Sequence, residues 1–231
     1  KELMSHLLSI ATNESASVVT RRQALLVVQE EVEDLDKAAD FQKTDGFAPI
    51  VRMLHHELSQ LQEAAAWVIG TAVQNQRNMQ LALLELDVLM PLTTLLIKEA
   101  NVEDEDEGED ENNEEEIAVK AKAMYALSAL VRNNPEGQWA CIEAGCYKAV
   151  VVALQSAPRV ARKTLVMLSD LIHETLAAAA AQAAGRSTYD GHLHESRPPR
   201  PFWAGETELD REELCRAVLF HTMAMSTKAV D

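Results

Sequence analysis

The fold is decided by residues 62–96, which have the sequence QEAAAWVIGTAVQNQRNMQLALLELDVLMPLTTLL. Apolar residues recur at helical intervals in the first half, as at Ala66 and Ile69. A polar break follows at Asn75, and Pro91 lies near the start of a last apolar run, where a missing backbone N–H costs least. The stretch therefore predicts three consecutive helices and no strand.

The same pattern occurs on both sides of this stretch. Segments that align with it without gaps cover residues 21–54 and 120–154, and a partial copy covers residues 161–174. Equivalent small residues are spaced by 41, 58 and 41 positions, at Ala24, Ala65, Ala123 and Thr164. A period of about 41 residues with three helices per unit indicates an all-α, armadillo/HEAT-like α-solenoid of about four repeats.

The long middle spacing is explained by an acidic insertion over residues 101–117. Residues 103–116 hold eleven carboxylates in fourteen positions, and like charges at that density repel one another and bury no apolar surface. We expect this insertion to be a solvated, disordered loop. Contact with a basic partner is the alternative role for it.

Composition excludes several classes of function. The chain has 231 residues, of which 47% are apolar, so it can bury a core. Its formal net charge is -16, so it lacks the positive field that would attract nucleic acids or anionic membranes. No apolar run reaches the ~18 residues of a membrane span. The three cysteines include no Cys-x-x-Cys pair, so we expect no disulfide framework and interpret Cys141 and Cys146 as buried small hydrophobic residues.

Three regions are predicted. Residues 1–184 form the armadillo-like helical domain, with a lead-in helix over residues 1–10. Residues 185–205 are rich in turn formers and prolines and form a loop. Residues 206–231 open on a capping-box pattern and form a helix that caps the apolar end of the array.

In an armadillo array the long helix of each unit lines the concave face, so residues that bind a partner should recur once per unit. One row of equivalent positions reads Leu26, Trp67, Tyr125 and Val166, the next reads Glu30, Thr71, Ala129 and Asp170, and a third reads Glu33, Gln74, Arg132 and His173. Aromatic anchors among polar groups suit a protein interface. The alternative is that the two aromatic residues only fill space between repeats. The predicted partner-binding residues are Leu26, Glu30, Glu33, Trp67, Thr71, Gln74, Asn75, Tyr125, Arg132, Asn133, Asp170 and His173.

Three motifs carry a resemblance to a known family. The stretches VEDLDKAADFQKTDGF (32–47), VIGTAVQN (68–75) and KAMYALSALVRNN (122–134) resemble the armadillo-type nucleotide exchange factors of the 70-kDa heat-shock chaperones. The resemblance covers roughly residues 18–176 and includes the cytosolic Fes and heat-shock-binding-protein branch and the endoplasmic-reticulum Sil branch. It implies a cochaperone that grips the chaperone's ATPase domain and speeds ADP release.

Enzyme chemistry is poorly supported by the sequence. His192, His194 and Glu195 form an H-x-H-E cluster, but it lies in a proline-rich loop without a second group of ligands. No phosphate-binding loop and no nucleophile elbow occurs. We therefore predict no enzyme activity, no cofactor and no metal.

Two further predictions concern partner and place. The alternative function is an armadillo adaptor that holds an extended peptide, although the repeated Trp and Asn ladder of import receptors is absent. We expect a monomer that binds the ATPase domain of a 70-kDa heat-shock chaperone and neither nucleic acid nor membrane. We expect a cytoplasmic protein, with the endoplasmic reticulum lumen as the alternative because Asn13-Glu14-Ser15 is a glycosylation acceptor.

Overall fold

The computed structural model describes residues 2–98 and 109–184 together with Arg216 and Val218. These residues form helices and connecting turns without a strand. The helices within the described ranges are α1 (Glu2–Thr12), α2 (Val18–Glu31), α3 (Leu35–Lys43), α4 (Phe47–Met53), α5 (Ser59–Val73), α6 (Arg77–Leu84), α7 (Leu89–Ile97), α8 (Glu109–Val131), α9 (Pro135–Glu143), α10 (Cys146–Gln155) and α11 (Pro158–Ala183). The prediction of an all-helical armadillo-like solenoid is confirmed, because three units of three helices precede α11, which starts a fourth.

The turns between helices recur in the same places in successive units. Asn75 and Asn133 end the long helices α5 and α8 in left-handed backbone conformations, with φ of 57° and 51°. The second turn of each unit uses Asp45, Asp87 or Gly145, also with positive φ. Asn, Asp and Gly tolerate this conformation better than other residues, so the polar breaks in the sequence do set the ends of the helices.

The long helices α2, α5, α8 and α11 pack side by side in that order. They run parallel, because residues one repeat apart meet: Arg22 Nη2 lies 3.0 Å from Glu63 Oε2. The backbone N–H of Asn133 likewise donates to Glu174 Oε1 at 3.0 Å. The predicted register of apolar positions is buried along α2, α5 and α8, so the core is one continuous layer beneath these helices.

Buried side-chain amides close the C-terminal end of α8. The amide nitrogen of Gln80 donates to the carbonyl oxygens of Ala129 and Arg132 at 2.7 and 3.1 Å. Gln138 donates to the carbonyl of Val131 at 3.1 Å. The last carbonyls of a helix lack partners within the helix, so these amides satisfy groups that burial would otherwise leave unpaired.

The predicted disordered loop over residues 101–117 is wrong for its second half. Helix α8 begins at Glu109, so residues 109–117 are helical, whereas residues 101–108 lie outside the described residues. The cause is propagation: once the packed part of α8 has nucleated, each added residue gains a hydrogen bond, and Glu is a good helix former. Carboxylates near a helix N-terminus also interact favourably with its dipole.

The prediction that the cysteines form no disulfide is also wrong for Cys141 and Cys146. Their sulfurs form a disulfide that joins the last turn of α9 to the first residue of α10, with the Cα atoms 5.2 Å apart. Gly145, at a φ of 68°, turns the chain between the two helices and brings the cysteines together. Both cysteines are buried, as the sequence predicted.

By length and composition alone, the stretch Pro158–Ala181 of α11 could cross a membrane. Its first half instead supplies core residues to the array, among them Val160, Met167 and Leu171. The predicted loop over residues 185–205 lies outside the described residues. The same holds for most of the predicted capping helix, of which Val218 is described as helical, partly buried and packed on the core.

Candidate partner-binding face

The long helices present a ladder of aromatic and lysine side chains. Lys122 Nζ lies 3.1 Å from the ring centroid of Trp67, and Lys163 Nζ lies 5.7 Å from that of Tyr125. The two lysines are 41 residues apart and so occupy equivalent positions in successive repeats. A cation above an aromatic face is attracted by the ring quadrupole, so each aromatic residue orients the lysine of the following repeat.

Tyr125 is held against the backbone of α5. A Cβ atom added to Gly70 would lie 2.4 Å from Cδ1 of Tyr125, so the ring occupies the space that a side chain at position 70 would need. The Tyr125 hydroxyl donates to Gln74 Oε1 at 2.9 Å. Tyr125 therefore does fill space between repeats while it remains half-buried and open to a partner on one side.

The second row contains paired polar residues. Gln29, a buried residue that sequence analysis did not single out, donates to Thr71 Oγ1 at 3.2 Å and to Glu33 Oε1 at 3.1 Å. Arg132 Nη1 lies 3.0 Å from Asp170 Oδ2. Ala129 is only 3% exposed, so this row offers a partner nothing from α8.

Glu174 is a further residue that sequence analysis missed. Its Oε1 accepts from the backbone of Asn133 at 3.0 Å, and its Oε2 accepts from Gln138 at 2.8 Å. Burial raises the pKa of the Glu174 carboxyl, while these hydrogen bonds act in the opposite direction. Glu174 thus caps the turn after α8. Nearby on α11, the exposed His173 donates from Nδ1 to the carbonyl of Ser169 at 2.7 Å.

Each predicted residue lies at the surface of a long helix or at the turn that follows it. The half-buried members are Leu26, Trp67, Thr71, Tyr125, Arg132 and Asp170. The exposed members are Glu30, Glu33, Gln74, Asn75, Asn133 and His173. The contacts between α2 and α5, α5 and α8, and α8 and α11 bring most of them into one strip, whose role in binding stays a prediction.

Four cations lie at the end of the strip where the long helices begin: Arg22, Lys122, Arg159 and Lys163. Burial lowers the pKa of Lys122 to about 8, against the attraction of Glu63 and with the repulsion of the other three cations. Burial also lowers the pKa of Lys163, as does repulsion from Arg159. The equivalent positions of Lys122 and Lys163 were the sequence signal for this cluster.

A cavity of about 330 Å³ lies between the N-terminal parts of α2, α5 and α8. Its walls include the Arg22–Glu63 ion pair, and Gln60 donates across it to Glu115 Oε1 at 3.0 Å. Glu115 belongs to the acidic N-terminal part of α8. Within the described part of the chain, no group of three His, Cys, Asp or Glu side chains could hold a metal ion. The His192, His194 and Glu195 cluster lies outside it.

The fold class is borne out by comparison with solved structures. A computationally designed armadillo repeat protein for modular peptide recognition is 17% identical, with a TM-score of 0.57 over 93% of this chain and 80% of that one. A designed armadillo repeat protein in complex with the peptide (KR)4 is 16% identical, with a TM-score of 0.58 over 94% of this chain and 88% of that one. At these identities the likeness shows an armadillo fold and nothing more.

The family is established by sequence. The profile of the SIL1/FES1/HPBP1 C-terminal domain matches residues 37–196, and the chain belongs to this family. The match confirms the resemblance predicted from the three motifs. It begins later in the chain than the predicted range of 18–176 and extends beyond it.

Individual relatives agree with this assignment. The Hsp70 nucleotide exchange factor FES1 of Mycosarcoma maydis is 34% identical over 58% of this chain and 30% of the relative. FES1 of Gibberella zeae is 31% identical over 57% of each. The nucleotide exchange factor SIL1 of Rattus norvegicus is 24% identical over 76% of this chain and 35% of the relative. The chain therefore spans less than two thirds of the length of each of these relatives.

Proposed function

We propose that this chain is a nucleotide exchange cochaperone, which binds the ATPase domain of an Hsp70 chaperone through the strip of long helices and speeds ADP release. The observation that carries the proposal is family membership over residues 37–196, a range that contains α5, α8 and α11. The half-buried Trp67 and Tyr125 support the choice of surface, because aromatic side chains with a fixed orientation lose little entropy when they bind a partner.

Exchange by such a surface needs no catalytic residue. If the array fits the open form of the ATPase domain better than the closed form, binding shifts the population toward the open form, from which ADP leaves faster. The coupling is reciprocal, so ADP must weaken the complex by the same factor. Under this proposal the chain acts as a monomer, needs no cofactor and is not itself an enzyme.

The alternative proposal is an armadillo adaptor for an extended peptide. The designed armadillo protein in complex with the peptide (KR)4 shows that an armadillo array can hold such a peptide, which is why this alternative is kept. Against it, the row that carries Asn in peptide-binding arrays reads Glu30, Thr71, Ala129 and Asp170 here, and Ala129 is buried. A basic peptide is therefore the ligand to test in competition with the Hsp70 ATPase domain.

The test is the release rate of a fluorescent ADP analogue from an Hsp70 ATPase domain. We expect the wild-type chain to accelerate release and the double variant Trp67→Ala, Tyr125→Ala to lose most of the acceleration. The matched control is Leu86→Ala, Met90→Ala, which removes exposed apolar side chains outside the long helices. Circular dichroism checks that both variants stay helical. If the aromatic double variant accelerates release as much as wild type does, the strip is not the binding surface.

We propose a cytosolic location, which is supported by a higher identity to a FES1 relative than to the SIL1 relative, at 34% against 24%. The endoplasmic reticulum lumen is the alternative, and the Cys141–Cys146 disulfide favours it because cytosolic thiols are kept reduced. Trapping of free thiols in cells with a maleimide reagent decides between them. A fully oxidised pair is the result that would move the protein to the lumen.

A further inference from the structure

The cations at one end of the strip form a surface that the rest of the chain does not explain. We name Arg22, Lys122, Arg159 and Lys163 the basic edge. They stand out in a chain whose net charge is -16. All four lie in the first two turns of the long helices, counted for α8 from residue 117, which is equivalent to the first residues of α2, α5 and α11.

The basic edge is only partly neutralised by nearby carboxylates, of which Glu63 and Glu115 line the cavity beside Arg22. Arg22 pairs with Glu63 at 3.0 Å, and within the described part of the chain the other three cations form no ion pair. Lys122 and Lys163 are nevertheless half-buried against aromatic rings. Burial of an unpaired cation costs free energy, which lowers the pKa of both lysines. This arrangement works against the stability of the free protein.

The helices add to the positive field at this edge. Because α2, α5 and α11 run parallel, their N-terminal ends lie at the same side of the array, and each carries a partial positive charge from its peptide dipoles, whereas α8 extends past this edge and begins at Glu109. At the opposite end, α2 carries the exposed carboxylates of Glu30 and Glu33, whereas Asp170 of α11 is paired with Arg132 of α8. Along α2, the two ends of the strip therefore differ in charge.

We propose that the basic edge receives a carboxylate-rich surface of the Hsp70 ATPase domain, with the ammonium groups of Lys122 and Lys163 as the contacts made by the ladder. The inference rests on the proposed function and adds to it the sign of the partner's charge and the orientation of the partner on the strip. Trp67 and Tyr125 act in this arrangement as supports that hold the two lysines in place, so that little side-chain entropy is lost when carboxylates approach. Attraction between unlike charges also speeds the encounter.

The experiment compares two double charge reversals in the full chain. Lys122→Glu, Lys163→Glu removes the basic ladder, and the control Lys98→Glu, Lys148→Glu makes the same change in net charge at exposed lysines outside the long helices. Affinity for an Hsp70 ATPase domain is measured by titration calorimetry, and exchange by release of labelled ADP. We expect the ladder variant to lose at least about tenfold in affinity and the control to lose less than about threefold.

A conservative pair separates charge from packing. Lys122→Arg, Lys163→Arg keeps the cations and is expected to retain binding, whereas Lys122→Gln, Lys163→Gln is expected to lose affinity and to show a weaker dependence on salt than wild type. Thermal unfolding shows that the variants are folded. Removal of unpaired cations is not expected to lower the unfolding midpoint.

The outcomes are distinguishable. If wild type accelerates ADP release and the ladder variant binds as well as wild type, the proposed function stands and the role of the basic edge is overturned. If wild type neither binds nor accelerates release from Hsp70, the proposed function fails and the assigned occupant fails with it. Binding of heparin or DNA by wild type without chaperone binding, abolished in the ladder variant, would overturn the proposal in favour of another polyanion.

Discussion

Helices α5 and α11 carry the same apolar pattern but lie in different surroundings. The equivalent residues Val73 and Ile172 are 0% and 42% exposed, respectively. Helix α5 packs between α2 and α8, whereas α11 packs on α8 and α10 and has no long helix of the array on its other side among the described residues. In a solenoid, each unit buries its apolar face only against its neighbours, so position in the array decides what a residue contributes to stability.

The largest expected effect comes from truncating a residue in the middle of the array. Ile69→Ala removes a fully buried side chain between α5 and its neighbours and should lower the free energy of unfolding by about 3–4 kcal/mol. Urea unfolding followed by circular dichroism measures it. A loss below about 1 kcal/mol would mean that the α5 interface collapses to fill the cavity, which would contradict the rigid packing inferred for the centre.

Gly70→Ala tests the close approach of α5 and α8. The new Cβ would lie 2.4 Å from the Tyr125 ring and 3.1 Å from Cα of Ala126, so the ring must move. We expect a net loss of about 1–2 kcal/mol, because overpacking exceeds the gain in helix propensity from Gly to Ala.

The control for this substitution is a double-mutant cycle with Tyr125→Ala. Removal of the ring should make Gly70→Ala nearly neutral. The equivalent position in α11 is Ser169, which is exposed, and Ser169→Ala should have no measurable effect on stability. Equal losses in the presence and absence of the Tyr125 ring would show that the ring is not what restricts position 70.

How far the sequence could predict this molecule differs between its features. The repeat register and the turns at Asn75 and Asn133 were predictable, because they depend on local periodicity and on residues with a strong backbone preference. The helical start of α8 at Glu109 was not, because it depends on propagation from a segment packed by tertiary contacts. Repulsion between the carboxylates favours disorder in this segment, but propagation from the packed part of α8 outweighs it.

The candidate site was predictable only in part. The rows of equivalent positions placed Trp67 and Tyr125 at the surface of the long helices, as the structure has them. The lysines above the rings come from the following repeat. The contact therefore depends on the offset between neighbouring helices, and the sequence does not specify that offset. The Cys141–Cys146 disulfide likewise depends on the conformation of the turn at Gly145.

Lys122, on the basic edge, gives the third prediction, which concerns pH. Its pKa is about 8 in the folded protein and 10.5 in an unfolded chain, so the unfolded state binds more protons between these values. Stability contributed by this residue therefore rises as the pH increases from about 8 to 10.5. The charges that act on it are those of Glu63, Lys163, Arg159 and Arg22.

Urea unfolding of wild type and Lys122→Met at pH 7.5 and pH 9.5, two values on either side of a pKa of about 8, checks this prediction. The stability difference between the proteins should narrow at the higher pH, because wild-type Lys122 is then largely neutral. If the difference is the same at both values, Lys122 titrates normally and its burial does not restrict its charge.

The smallest expected effect is that of Ile172→Ala, which makes the same substitution as Ile69→Ala but in the last long helix of the described array. Ile172 keeps 42% of its surface exposed, and Ala is a better helix former than Ile, so the loss should be below about 1 kcal/mol. Urea unfolding of the full chain measures this loss beside that of Ile69→Ala.

A loss close to that of Ile69→Ala would mean that α11 is covered as fully as α5. In that case the covering element must be sought in residues 206–231, where the sequence predicts a capping helix and Val218 already packs on the core. The pair of substitutions thus measures how abruptly the array ends, which the equivalent sequence pattern of the two helices does not reveal.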